Sequence, residues 1–317
     1  MKNGFRIIDS DIHVIEPPDL FREYLEPAFR EQAHQWTGTR EDSYAGWRLP
    51  NKTHSTPQWV RQDTNSRRLL AKRKEERYFE EHAQGYTADL TLKAMDREGI
   101  DTAVLFRTAL GMVTQVDDQD PAFTMALCRA FNNWLADFAN ENPVRLKGSA
   151  MLSFCDIPAA AKEAERAVKD LGMVAVTLPA TLMNDQMPHD PNCDRLWATL
   201  QELDVSVTFH DTSGGYSEMN PAYSFRKHPN NLVLTHAFSF SLTLMMAIGS
   251  MTTGGVFQRF PRLRAAFLEG NCSWLPWLLY RLDEQWEGFG AGQDVQLDQL
   301  PSEYFKACCF VSVESTA

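Results

Sequence analysis

The chain has 317 residues and a mass of 36.1 kDa, with 44% hydrophobic and 23% charged residues, enough to bury a full core in one large α/β domain or two ordinary ones. A formal net charge of -11, a pI near 5.2, and a Lys72-Arg73-Lys74 tract met at once by Glu75 and Glu76 argue against nucleic acid or an acidic membrane surface as main partner. Six cysteines without CxxC spacing suggest reduced thiols in a cytoplasmic protein, and the reading expects neither a signal peptide nor an apolar segment of membrane-spanning length.

A buried strand is expected within residues 4–18, ending in Asp11 and His13 before the Pro17-Pro18 stop. Residues two apart on a strand point the same way, so both side chains are placed to offer an oxygen and a nitrogen to one divalent metal. A short helix or turn over 19–29 follows. Residues 30–80 read as an excursion, with Trp36, Trp47 and Trp59 among turn-forming residues, and serve as a flap, a cap or a dimerisation arm. Arg61, Arg67 and Arg68 are the anion-ligand candidates within it.

From Asp89 the pattern becomes regular. A helix stopped by Gly99 leads to a strand over 102–106, then a helix over 121–140, a strand over 147–154, a helix over 159–171 and a strand over 173–178. Next come a helix over 193–203, a strand over 205–210 ending in His210, and the Gly214-Gly215 turn. A sixth strand is expected over 231–235, ending in His236, then a helix over 245–260 broken near Gly254-Gly255, and a seventh strand over 264–268 ending at Glu269.

Strands alternating with crossover helices imply a parallel sheet, and the lack of a glycine-rich dinucleotide loop after the first strand favours a (β/α)8 TIM barrel over a doubly wound sheet. Active sites of such barrels lie at the C-terminal ends of the strands, where Asp11, His13, His210, His236 and Glu269 are all expected.

With these motifs assembled, nearly the whole chain resembles the amidohydrolase superfamily, in the branch of aminocarboxymuconate semialdehyde decarboxylase and the aromatic-acid decarboxylases. The resemblance runs through Ile8-Asp9-Ser10-Asp11-Ile12-His13, Met95-Asp96-Arg97-Glu98-Gly99-Ile100-Asp101 and Asn133-Trp134-Leu135. It continues through the strand ending in His210, Phe260-Pro261-Arg262-Leu263, Phe267-Leu268-Glu269-Gly270, Trp274-Leu275-Pro276 and Arg281-Leu282-Asp283-Glu284. It implies one barrel domain over 1–317, with Asp11, His13 and His210 as metal ligands and His236 beside the metal, acting as acid/base or orienting bound water. Asp11 stands where the family more often has His or Glu.

The family's eighth-strand aspartate has no counterpart, and residues 310–317 resemble the segment before its final strand, so the last strand is expected to be missing or truncated. Plain strand counting instead makes 308–313 the eighth, with Glu314 as its carboxylate; Glu269 is the other carboxylate available to complete the coordination.

One divalent metal is expected, zinc first with manganese or iron as alternatives. The leading expectation is a carboxy-lyase acting on a small carboxylated aromatic or unsaturated substrate, with Arg107 as a partner for the substrate carboxylate. Trp36, Trp47, Trp59, Phe106, Phe238, Phe240 and Trp274 are the candidate pocket aromatics. The alternatives are hydrolysis of an ester, lactone or amide, iron-dependent oxygen chemistry, and an inactive barrel serving as a scaffold. A homodimer or higher homo-oligomer is expected.

Overall fold

The structure, a computed structural model, describes residues 4–17, 19–32, 35–36, 47–48, 84–108, 110–115, 118–180, 186–211, 220–221, 225 and 232–313. Most of the 30–80 excursion falls outside them. So do Trp59, Arg61, Arg67, Arg68, Gly214, Gly215 and Glu314. Within the excursion, Gln35–Trp36 and Trp47–Arg48 pair antiparallel, with Trp36 opposite Trp47.

Among the described residues, seven parallel strands make the sheet: β1 (Ile8–His13), β2 (Thr102–Phe106), β3 (Leu146–Met151), β4 (Ala175–Leu178), β5 (Ser206–Phe209), β6 (Ala265–Phe267) and β7 (Cys309–Val311). They lie in chain order, each bonded to its sequence neighbours, as successive right-handed crossovers produce. The helices between them are α1 (Leu20–Tyr24), α2 (Ala88–Glu98), α3 (Pro121–Asn140), α4 (Ile157–Lys169), α5 (Asp194–Leu203), α6 (Leu232–Thr253), α7 (Val256–Arg259), α8 (Leu275–Phe289) and α9 (Pro301–Cys308).

Local chemistry accounts for where these helices begin and end. Thr87 caps α2 by accepting from Leu90 N, and Gly99, at φ 75°, takes the left-handed conformation that closes it. Asp120 and Asp156 cap α3 and α4 in the same way, each with proline in the first turn.

The sheet is curled. β1 and β5 are four strands apart, a separation of about 19 Å in a flat sheet, yet the His13 and His210 side chains approach to 3.1 Å. Strand alternation sorts the two faces. On β5, Phe209 stacks on Phe267 and contacts Trp197 of α5, so Thr208 and His210 face the barrel interior. Beneath His210 runs a buried hydroxyl ladder, Ser149 to Thr177 at 2.6 Å and Thr208 to Thr177 at 2.9 Å, which satisfies small polar groups inside the barrel.

Two expectations are corrected. Residues 232–235 of the strand expected over 231–235 are helical: Leu232 begins α6, which runs unbroken to Thr253 before the turn at Gly254-Gly255. Hence β6, at 265–267, is the sixth strand, bonded directly to β5, and β7 at 309–311 is the seventh. The count that made it the eighth is wrong.

Val233–Thr253 of α6 is long and apolar enough to cross a membrane, by length and composition only, against the expectation that no such segment exists. In this structure Leu244, Ala247, Ile248 and Met251 are buried in the core, and 44% of the apolar window is buried.

A side-chain clasp ties α3 to β3 and α4. Buried Asn132 accepts from Met151 N at 2.7 Å and donates to Glu163 Oε1 at 2.7 Å, and Glu163 is also held by Arg166. Replacing Asn132 with Ala strands the buried Met151 N–H, while Glu163 keeps Arg166, and is expected to lower stability by about 1–3 kcal/mol in denaturant titration.

Candidate metal centre

Four side chains meet at the C-terminal mouth of the sheet: Asp11 and His13 from β1, His210 just after β5, and Glu269 just after β6. On β1 the pairing register shifts between Asp9 and Ile12, so the strand carries an extra residue there. This bulge re-aims Asp11 without separating it from His13, and Asp9 Oδ1 accepts from Asp11 N at 3.0 Å.

Both imidazoles have a fixed tautomer. His13 Nδ1 lies 2.7 Å from the Arg107 carbonyl oxygen, and His210 Nδ1 lies 2.9 Å from that of Asp211. A carbonyl only accepts, so each Nδ1 carries a proton, and the nitrogen that each ring turns toward the other is Nε2. Those two nitrogens are 3.1 Å apart. Asp11 Oδ1 lies 3.5 Å from His210 Nε2 and 3.8 Å from His13 Nε2; Glu269 Oε2 lies at 3.3 and 3.7 Å from the same atoms.

Lone pairs and carboxylate oxygens aimed at one point repel one another unless a cation sits among them. Asp11 Oδ1 is buried and has no hydrogen-bond partner among the described residues. Ligand atoms of Asp11, His13 and His210 lie within 4.8 Å of one another. This donor set of two imidazoles and one or two carboxylates fits a divalent transition metal.

Glu269 arrives by a different route. In an uninterrupted strand it would share the face of Phe267, which packs outward against Phe305 of α9. Its backbone takes φ 59°, a left-handed conformation uncommon for a residue with a side chain, and the carboxylate turns to the cluster. Gly270 follows because a Cβ there would stand 2.4 Å from Leu244 Cδ1.

The structure separates the other expected residues. His236 lies on α6, exposed, with its ring 5.1 Å from that of Phe240, and is not part of the ligand group. The strand-end position assigned to it is therefore corrected. Arg107 is buried at 2% exposure, and its Nη2 donates to the His210 carbonyl at 2.7 Å. Burial pushes its pKa down while Asp211 and Glu16 oppose the shift, and a guanidinium so placed stays cationic. Of the aromatics, Phe106 stacks on His210 at 5.7 Å, Phe240 is buried, Phe238 is exposed, and Trp274 donates to the Gly270 carbonyl. Phe106 is thus the candidate whose ring, among the described residues, lies against the cluster.

Fold and site together define a barrel whose strand ends carry a cluster of side chains with the chemistry to hold a metal ion. A family model described as "Amidohydrolase" matches residues 8–309, and the chain belongs to that family. It is 30% identical over 205 residues to gamma-resorcylate decarboxylase of Rhodococcus jostii (strain RHA1), a match covering 62% of this chain and 60% of that protein. Matches to the curated relatives span between about half and three-fifths of their length. Among solved structures, an amidohydrolase from Mycobacterium avium subsp. paratuberculosis K-10 superposes with a TM-score of 0.72 at 21% identity, covering 98% of this chain and 84% of that one. A dihydroxybenzoic acid decarboxylase from Polaromonas sp. JS666, solved with bound manganese and the inhibitor 2-nitroresorcinol, gives a TM-score of 0.61 at 20% identity, covering 98% and 79%.

Burial and the facing His210 lower the His13 pKa from 6.5 to about 4, with Asp11 opposing. The folded chain therefore takes up this proton later than the unfolded chain does as pH falls. Metal-free protein is expected to hold its full His13 contribution above pH 6.5 and to lose it progressively toward pH 4, seen as a falling denaturation midpoint. A midpoint rising over that interval would contradict the assignment.

Proposed function

We propose that this chain is a divalent-metal carboxy-lyase acting on a small carboxylated aromatic substrate. The observation that carries the proposal is the pair of Nε2 lone pairs converging with Asp11 and Glu269 at the mouth of an amidohydrolase barrel. The relative named as a decarboxylase of gamma-resorcylate supports the choice of reaction. Asp11, His13 and His210 hold the cation. Manganese joins zinc as the ion to load first, on the example of the manganese-bound Polaromonas decarboxylase.

Such a cation supplies Lewis acidity toward oxygens of the substrate. The chain's own groups then have defined tasks. His13 and His210 keep their Nδ1 protons on backbone carbonyls and present Nε2 as donors. Glu269, in its acid form, gives a proton to the carbon that bears the carboxylate. The C–H bond forms there, the C–C bond to the carboxylate breaks, and its electron pair restores the aromatic ring as carbon dioxide leaves. Phe106 backs the His210 ring and limits water on that side.

The hydrolase reading uses the same groups, with Glu269 taking a proton from water. Product analysis separates the two: manganese- and zinc-loaded protein incubated with gamma-resorcylate should release carbon dioxide, and His210→Ala should lose both metal and release. A new acid formed from an ester or lactone without carbon loss would replace the lyase reading with the hydrolase.

Glu269→Gln keeps a side chain of the same shape but removes the proton. Turnover is expected to fall about 100-fold or more while metal content measured by mass spectrometry stays near the parent level. Unchanged turnover would remove Glu269 from the proton-transfer role.

A further inference from the structure

Arg107 sits between the two histidines in a way that a substrate-binding role does not explain. Its carbonyl oxygen lies 2.7 Å from His13 Nδ1, and its guanidinium Nη2 donates to the His210 carbonyl at 2.7 Å. One residue thus touches the ring of the first ligand and the backbone of the second, although those ligands are 197 positions apart in the chain.

The position of that carbonyl is itself fixed. On one side, Phe106 O accepts from Val14 N at 2.9 Å. On the other, Thr108 N and Leu110 N both donate to buried Glu16, at 2.8 and 3.1 Å, while the Thr108 hydroxyl donates to Val14 O at 2.6 Å. The peptide between Phe106 and Thr108 is clamped to the end of β1, so the acceptor for His13 is held in place. The guanidinium end is buried at 2% exposure: Nη2 holds the His210 carbonyl, Nε and Nη1 have no hydrogen-bond partner among the described residues, and the nearby Asp211 and Glu16 charges favour its cationic form.

We propose that Arg107 is the positioning residue of the metal centre: its main chain orients His13, its side chain anchors the backbone that carries His210, and together they set the spacing of the two Nε2 donors. The inference rests on the metal-site reading above and assigns Arg107 a task other than contact with substrate. Groups that orient a ligand imidazole from behind act on metal affinity, which gives the test a readout independent of any substrate.

Manganese and zinc affinities are measured by chelator competition on the parent protein, Arg107→Met and Arg107→Lys. Arg107→Met should bind about 10- to 100-fold more weakly, and Arg107→Lys, which keeps a cationic donor, should recover part of that loss. An affinity unchanged in Arg107→Met, with only KM for an aromatic acid raised, overturns the proposal in favour of a substrate contact. Equal weakening in both variants overturns it in favour of a general packing effect. A parent protein that binds neither metal removes the metal-site reading itself and is told apart from the other outcomes by that control.

A second measurement needs no variant. Nitrogen-15 NMR of histidine side chains in zinc-loaded parent protein should show His13 and His210 both protonated at Nδ1 and bound through Nε2. Coordination of His13 through Nδ1 overturns the proposal, because that nitrogen would no longer donate to Arg107.

Discussion

Two imidazole rings, each with its Nδ1 proton committed to a backbone carbonyl, face one another across 3.1 Å. This constraint reaches through the fold. It requires β1 and β5 to approach despite the three strands between them, and so requires the sheet to curl. It requires inward alternation on β5, which the outward stack of Phe209 on Phe267 enforces. It also requires the loop after β2 to hold a carbonyl at a fixed height above β1, which buried Glu16 accomplishes by gathering Thr108 N and Leu110 N.

Much of this was legible in the sequence, and the physical reason is strand periodicity. Asp11 and His13 are two apart at the end of an apolar run, and His210 ends another such run, so their shared direction follows from the pleat. The stop at Gly99 was written in a single residue, and its left-handed backbone closes α2 where expected. The amidohydrolase resemblance rested on motifs spread over most of the chain, and the family match spans residues 8–309.

What failed did so for an equally physical reason. Residues 231–235, read alone, are a short apolar run between polar stretches, which fits a strand or a piece of buried helix equally well. The run continues with apolar residues on every side through Met251, so α6 carries no sharp polar face to reveal its period. Moving that segment from sheet to helix removed His236 from the strand ends and promoted Glu269 from the seventh strand to the sixth. The Glu269 carboxylate then depends on a left-handed backbone at φ 59°, a property that no side-chain pattern announces. Arg107 could be placed beyond a strand from sequence, but not its double attachment, since hydrogen bonds made by a carbonyl leave no trace in residue type.

The sequence distance between the ligands has a consequence for how the molecule holds together. His13 and His210 are 197 residues apart, and a group bound to both ties off a loop containing most of the barrel. The entropy of closing such a loop grows only slowly with its length, but it is met in full when the strands assemble, before any ligand can bridge them. The cation proposed for the strand ends would therefore act as a late cross-link, like a disulfide drawn across the first five strands. On the proposed reading, the affinity of that cation becomes part of the folding free energy of the whole domain, rather than a property of Asp11, His13 and His210 alone.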